Sequence, residues 1–166
     1  MDPAVFRKLT YGMYAVGTLD GTRPTGCIVN TVEQVTSKNP VIVLSMNKNN
    51  FTYEAMIKAG RFSVSILSEN VPQPVISVLG FRSGRTEDKF DEKEVPFQIV
   101  DGLPVITSGI CGWMTAEIIA EKNCGTHSVI LARVTDAKAV SDEPPMTYAF
   151  YHSERKGTAP KNAPTW

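Results

Sequence analysis

The apolar residues of this chain come in short runs of β-forming type, each stopped by turn residues. That spacing constrains the fold more than anything else in the sequence. Residues 11–19, "YGMYAVGTL", are rich in Tyr and Val and end at Asp20-Gly21, a hairpin signal. Residues 27–36, "CIVNTVEQVT", continue as one strand with unevenly spaced polar residues, and residues 40–46, "PVIVLSM", read as a buried strand. In residues 61–67, "RFSVSIL", strict alternation puts Phe62, Val64 and Ile66 on one face. "LPVIT" (103–107) is a further strand, and residues 112–140 read as two long strands turning at residues 123–125. "MTYAFYH" (146–152) is expected to be the last strand.

Helical signals are few and short. Asp2 followed by Pro3 is a capping residue before a proline at the first helical position. Residues 51–60, "FTYEAMIKAG", carry helical spacing and end at a glycine suited to a C-cap. "VPQPVISVLGF" (71–81) continues as a short helix after its prolines, and residues 82–96 read as a charged surface loop. Hairpin-linked strands with a few short inserted helices point to an antiparallel, mainly β barrel. Its 166 residues suffice for one domain, 1–166, ending in an irregular tail from about residue 153.

Charge and cysteine usage exclude several classes. Lys+Arg and Asp+Glu are both 17, so no basic surface is available for nucleic acid or anionic lipid. No apolar run approaches the ~20 residues of a membrane span, and the N-terminus lacks the apolar core of a signal peptide. Cys27, Cys111 and Cys124 are odd in number and have no CxxC spacing, so no metal site is expected. Three reduced thiols fit a cytoplasmic protein.

Four polar clusters carry the candidate chemistry. Residues 45–54, "SMNKNNFTYE", place Ser45, Asn47, Lys48, Asn49 and Thr52 between a strand and a helix start. Free N–H groups and the positive helix end make that a natural anion site. The other reading is that Asn49 or Asn50 caps the helix and the rest is solvated loop. The residues leave both open. No GxxxxGK[ST] or GxGxxG is present. The second cluster is Asn30, Thr31, Glu33, Gln34, Thr36 and Ser37, either an ordinary edge strand or a strand end whose backbone meets a ligand edge. Arg82, Ser83, Arg85 and Lys89 form the third, and His127, at a strand start, is the fourth.

Taken in order, "NTVEQVT", "SMNKNNFTYE", "FSVSIL", "GFRSGRTEDKF" and "GTHSVILARV" resemble the flavin reductase-like family. The fold implied is the FMN-binding split β-barrel, antiparallel and Greek-key-like. The ending "KGTAPKNAPTW" is similar to flavoredoxins and to the flavoprotein module joined to rubredoxin in high-molecular-weight rubredoxins. The resemblance implies noncovalent FMN near a homodimer interface. The isoalloxazine edge would lie along Asn30, Thr31, Val32, Glu33 and Gln34, with Thr36 nearby. The phosphate would sit over Ser45, Met46, Asn47, Lys48, Asn49 and Thr52, helped by Ser83 and Lys89. His127 would be the catalytic group. The chain would be a flavin-dependent oxidoreductase or electron-transfer flavoprotein, exchanging electrons with NAD(P)H, rubredoxin or another small carrier. The alternatives are an NAD(P)H:flavin reductase that releases reduced flavin and a non-catalytic ligand-binding barrel. The sequence ends at Trp166 without the CxxC-bearing iron domain of the rubredoxin-fused members, so the partner is expected to be separate.

Overall fold

The first hairpin forms as Asp20-Gly21 signals. Strand β1 (Tyr14–Asp20) turns through Gly21, at φ 63°, into β2 (Arg23–Val29), with Asp20 opposite Arg23. Asn30 and Thr31 then lie outside any strand, and β3 (Val32–Thr36) follows at once. The single strand expected over residues 27–36 is therefore two. A polar Asn-Thr pair, placed where the chain changes direction, breaks it.

The computed structural model describes residues 1–160. It continues with β4 (Val41–Asn47), α1 (Phe51–Ala59), β5 (Arg61–Leu67), α2 (Gln73–Phe81), β6 (Phe97–Val100), β7 (Leu103–Ile106), β8 (Ile110–Cys124), β9 (His127–Ala139) and α3 (Tyr148–Ser153). A 3₁₀ helix, Pro3–Lys8, precedes β1, capped by Asp2. The expected tail beyond residue 153 is irregular to residue 160, and residues 161–166 lie outside the described residues. Among the described residues no helix is long and apolar enough to cross a membrane.

Seven strands form one sheet in the order β2-β1-β5-β8-β9-β4-β3, every pair antiparallel. The two edge strands, β2 and β3, are neighbours in sequence. Laid flat, seven strands would separate them by about 29 Å at ~4.8 Å per step. The three peptide steps from Val29 to Val32 reach at most about 11 Å. The sheet must therefore roll until its edges meet at Asn30 and Thr31. This is a barrel closed at one corner and open below it, the split barrel the family resemblance implied.

The rolled sheet has two cores. Inside are Val16, Leu44, Met46, Phe62, Val64 and Ile130, with Met56 of α1 plugging one end. Outside, against β1 and β5, lie α2, the β6–β7 hairpin and α3, packed around Leu67, Val75, Leu79, Val105 and Met146. The β6–β7 hairpin turns at Asp101-Gly102 (φ 49° and 73°), a signal of the same kind as Asp20-Gly21. Only its second strand was expected from sequence, because "FQIV" follows a charged loop.

The hairpin docks on β1 where that strand has no side chain. A Cβ at Gly17 would strike the Pro104 carbonyl and the Ser63 hydroxyl, which itself donates to Pro104 O. Gly17→Ala is therefore expected to cost about 1–3 kcal/mol by overpacking. Urea denaturation measures it. An unchanged midpoint would mean the hairpin yields freely.

Candidate functional site

The closing of the sheet places two cavities side by side. The first, of ≈ 280 Å³, is lined from β2, the seam, the end of β4, the start of α1, the end of α2 and the loop after it. The second, of ≈ 580 Å³, is lined from the chain before β1, the seam, β3 and β4. Met13, Asn30 and Ser45 belong to both, so the seam is their common wall. Thr31 fixes it: its hydroxyl donates to Ser45 O at 2.9 Å, and Ser45 N donates to Thr31 O at 3.3 Å.

The loop between β4 and α1 is organised by Asn47. Its side-chain oxygen accepts from Asn49 N at 2.9 Å, and its carbonyl accepts from Asn50 N at 3.0 Å. Asn50 stands at the N-cap but makes no side-chain cap bond to the helix. The first N–H groups of α1, those of Phe51 and Thr52, have no intrahelical acceptor. They open on the first cavity with the positive end of the helix. Helix capping by Asn49 or Asn50, the plain alternative to an anion site, is not what this loop does.

Lys89 provides the charge. It is 4% exposed, and its Nζ donates to Leu79 O, in the last turn of α2, at 2.7 Å. An ammonium has three donors. Among the described residues Lys89 makes no ion pair and meets no second acceptor within hydrogen-bond distance. Burial pushes its pKa down, against smaller opposing effects from Cys27 and Glu87. The arginines nearby are committed to carboxylates. Arg82 grips Glu94 through two bonds of 2.9 and 3.0 Å, Arg85 pairs with Glu54, and Arg23 pairs with Asp88 and Asp20. Arg23 and Arg85 also sit over the Phe51 ring, each 5.4 Å from its centroid.

A family model described as flavin reductase like domain matches residues 6–159. The chain belongs to the flavin reductase-like family. It is 40% identical over 168 aligned positions to the high molecular weight rubredoxin of Moorella thermoacetica, spanning 100% of this chain and 72% of that one. It is 36% identical over 163 positions to the ferric-chelate reductase (NAD(P)H) of Archaeoglobus fulgidus, covering 98% and 96%. Among solved structures, the NADH:FAD oxidoreductase SgcE6 of Streptomyces globisporus superposes with a TM-score of 0.77 over 86% of this chain and 84% of that one, at 21% identity, a likeness of fold. This flavin reductase-like chain is a flavin-dependent oxidoreductase.

The first cavity of this flavin reductase-like domain gathers Asn30, Ser45, Met46, Asn47, Asn49, Thr52, Ser83 and Lys89 from three separate stretches of sequence. Thr31, Val32 and Glu33 line the second. Gln34 and Thr36 line neither. They lie on the exposed edge strand β3, where the Gln34 amide donates to Thr36 O at 3.0 Å. Lys48 is also outside both: its ammonium donates to Asn123 Oδ1 at 2.9 Å, at the tip of the β8–β9 hairpin. His127 pairs in register with Asn47 and lines neither cavity. Its Nδ1 meets Thr126 Oγ1 at 2.9 Å, and its Nε2 is buried without a partner.

Sequence reasoning missed Cys27, the α2 end from Leu79 to Phe81, and a wall made by Tyr148, Tyr151, Thr158 and Pro160. Residues 146–152, expected as a last strand, contain α3 instead. Thr147 caps it, its hydroxyl accepting from Phe150 N at 3.0 Å. A capping threonine ahead of "YAFYH" was the available signal, and the aromatic content outweighed it.

In the flavin-free protein Lys89 loses its proton at lower pH than it does in the unfolded chain. Between that depressed value and the ordinary lysine value of about 10.4, the unfolded chain binds more protons, so stability rises with pH. Lys89→Met, which removes the charge at similar volume, is expected to flatten that rise. Denaturation midpoints measured from neutral pH upward test it, and equal slopes for parent and variant would contradict it.

Proposed function

We propose that this chain binds FMN noncovalently and passes electrons between NAD(P)H or a small redox protein and an acceptor. The observation that carries the reading is the buried ammonium of Lys89, without a carboxylate, on the wall of the cavity that receives the open N-terminus of α1. That donor set suits a phosphate: a full charge with two unused donors, backbone N–H groups and the Ser83 and Thr52 hydroxyls. With the nearby arginines neutralised, Lys89 is the one buried cation among the described residues of this cavity, which suits the single phosphate of FMN better than the two of FAD. The seam suits a flat heterocycle, whose polar edge would lie along the strand-end backbone at Asn30 and Thr31. FMN when bound supplies the redox chemistry, accepting two electrons as hydride or passing them singly.

The chain's own residues hold and orient. Lys89 and α1 would fix the phosphate end. Asn30, Thr31 and Ser45 would fix the ring along the seam, leaving the second cavity as the approach for a donor or acceptor. Similarity to a high molecular weight rubredoxin supports a small iron protein as partner, and similarity to an NAD(P)H-named reductase supports nicotinamide. Among the described residues no group of three or more His, Cys, Asp or Glu is placed to hold a metal ion. We also propose a homodimer. The open edge β3 and the exposed Val35, Ile119 and Val140 support it. A catalytic role for His127 would be exercised there, from one copy on another, since His127 lines neither cavity of its own chain.

Heat-denatured protein should release a flavin that co-migrates with FMN, and sedimentation should give a dimer. Release of FAD, or failure to take up any flavin, would overturn the reading. Lys89→Met should weaken FMN binding about tenfold to a hundredfold, the worth of a charged hydrogen bond to phosphate, while leaving riboflavin affinity nearly unchanged. Titration of both ligands separates the two, and an equal loss for both would move the phosphate elsewhere.

A further inference from the structure

The wall contributed by residues 148–160 is attached differently from the rest of the pocket. Up to Tyr148 the chain is stitched into the sheet. Met146 N donates to Leu67 O at 2.8 Å, Met13 N to Met146 O at 3.0 Å, and Tyr148 N to Tyr11 O at 2.8 Å. Beyond Tyr148, among the described residues, its backbone bonds only to itself. Gly157 N returns to Tyr151 O at 2.9 Å, His152 Nδ1 donates to Gly157 O at 2.8 Å, and the Tyr151 hydroxyl donates to Thr158 O at 3.3 Å. The doubling back is possible because Gly157 lies against the Tyr151 ring, where any Cβ would collide with it. The result is a compact strap that carries Tyr148, Tyr151, Thr158 and Pro160 to the cavity.

Tyr148, Phe150 and Tyr151 pack the strap onto the outer core, and beyond them, among the described residues, one side chain ties it to the body by hydrogen bonds. Arg155 Nη1 donates to Val71 O at 2.6 Å and to Glu69 O at 3.4 Å, and Nη2 donates to Gln73 Oε1 at 3.1 Å. Among the described residues it makes no ion pair. Its partners lead directly into α2, whose far end forms the opposite wall of the same cavity. A pin at one end of α2 therefore holds the strap in register with the surface it faces.

We propose that residues 148–160 are a latch over the flavin pocket, pinned by Arg155, and that this pin sets how fast flavin enters and leaves. The proposal rests on the FMN reading above and concerns the exchange of flavin at that same site. Arg155 is a positioning residue: it lines neither of the two cavities and meets the pocket through the strap. Loosening the pin opens a path without removing the phosphate grip, so uptake and release change together. A wall that merely contributes contact would behave differently, since its loss speeds release and leaves uptake no faster.

The test is stopped-flow mixing of the full chain with FMN and with riboflavin, following flavin fluorescence for uptake and displacement for release. Arg155→Ala is expected to raise both rates about tenfold, the loss of a charge-assisted hydrogen bond, and by the same factor for both ligands. Gly157→Ala, which disrupts the fold-back from the other side, should do the same, so the outcome does not rest on one variant. FMN-loaded parent with no faster exchange in either variant overturns the latch and leaves the FMN reading standing. Faster release with unchanged or slower uptake also overturns it, making the strap a plain wall. A parent chain that takes up no FMN overturns the FMN reading and the latch together.

Discussion

Two residues, Asn30 and Thr31, join strands that stand at opposite edges of a seven-stranded sheet, and the rest of the structure follows from that short connection. A longer linker would let the sheet stay open, as most twisted sheets of this size do. Here the edges are drawn together at one corner, where Val29 ends one strand and Val32 begins the other. Rolling buries Phe62, Leu44 and Ile130 inside and leaves the outer face of β1 and β5 to be covered by α2, a hairpin and α3. It also sets the corner's backbone beside the end of β4, and so beside the start of α1. Both cavities exist because a corner cannot be packed as tightly as a sheet face.

The electrostatics of the first cavity follow from which charges have already been matched. Residues 82–94 look strongly polar in sequence, yet the arginines there carry carboxylate partners: Arg82 has Glu94 and Glu87, and Arg85 has Glu54. Exposed pairs of that kind contribute little to stability, typically under about 1 kcal/mol each. They do remove the arginines from competition for a ligand and order the loop that carries Ser83. Lys89 differs because burial separates it from both solvent and acids. Its one bond caps the end of α2, where helix carbonyls lack partners and the dipole is negative. That is a structural role sufficient to hold the side chain in place. On the FMN reading its two remaining donors would serve the phosphate.

The architecture was legible because most strands carried their own signal, and the barrel class followed from the strands and their turns. The site was legible in its loops. Asn30 at the break, the donor-rich start of α1, and Ser83 with Lys89 all line one cavity although they come from stretches far apart in sequence. What was hidden depended on tertiary partners. Lys48 sits in the most suggestive motif, but Asn123 on the β8–β9 tip competes for it. Lys89 sits in a stretch that reads as solvated loop, and only the packing of α2 reveals its burial. Tyr148 and Tyr151 favour strand by composition. A short segment follows its cap when no neighbouring strand edge is available, and the pairing with Tyr11 and Met13 ends at the helix start. "FQIV" was passed over for a related reason: a four-residue strand has too little alternation to stand out beside charged neighbours.

Within this fold, holding a flavin and exchanging it depend on different parts of the pocket. On the FMN reading a grip on phosphate would come from Lys89 and α1, and it would act on the bound state alone. Access is set by whatever must move for the ligand to pass. The seam cannot move without unrolling the sheet, and α2 cannot move without exposing Val75, Ile76 and Leu79 of the outer core. The strap after Thr147 is held by the packing of Tyr148, Phe150 and Tyr151 and by the hydrogen bonds of Arg155, and on the latch proposal it is the wall that would move. Proteins on one scaffold can thus bind flavin with similar donors and still differ in whether it stays for one turnover or many. On the latch proposal the difference would lie in the fastening of a short segment far in sequence from the donors, where a comparison of the proposed phosphate-binding residues alone would not find it.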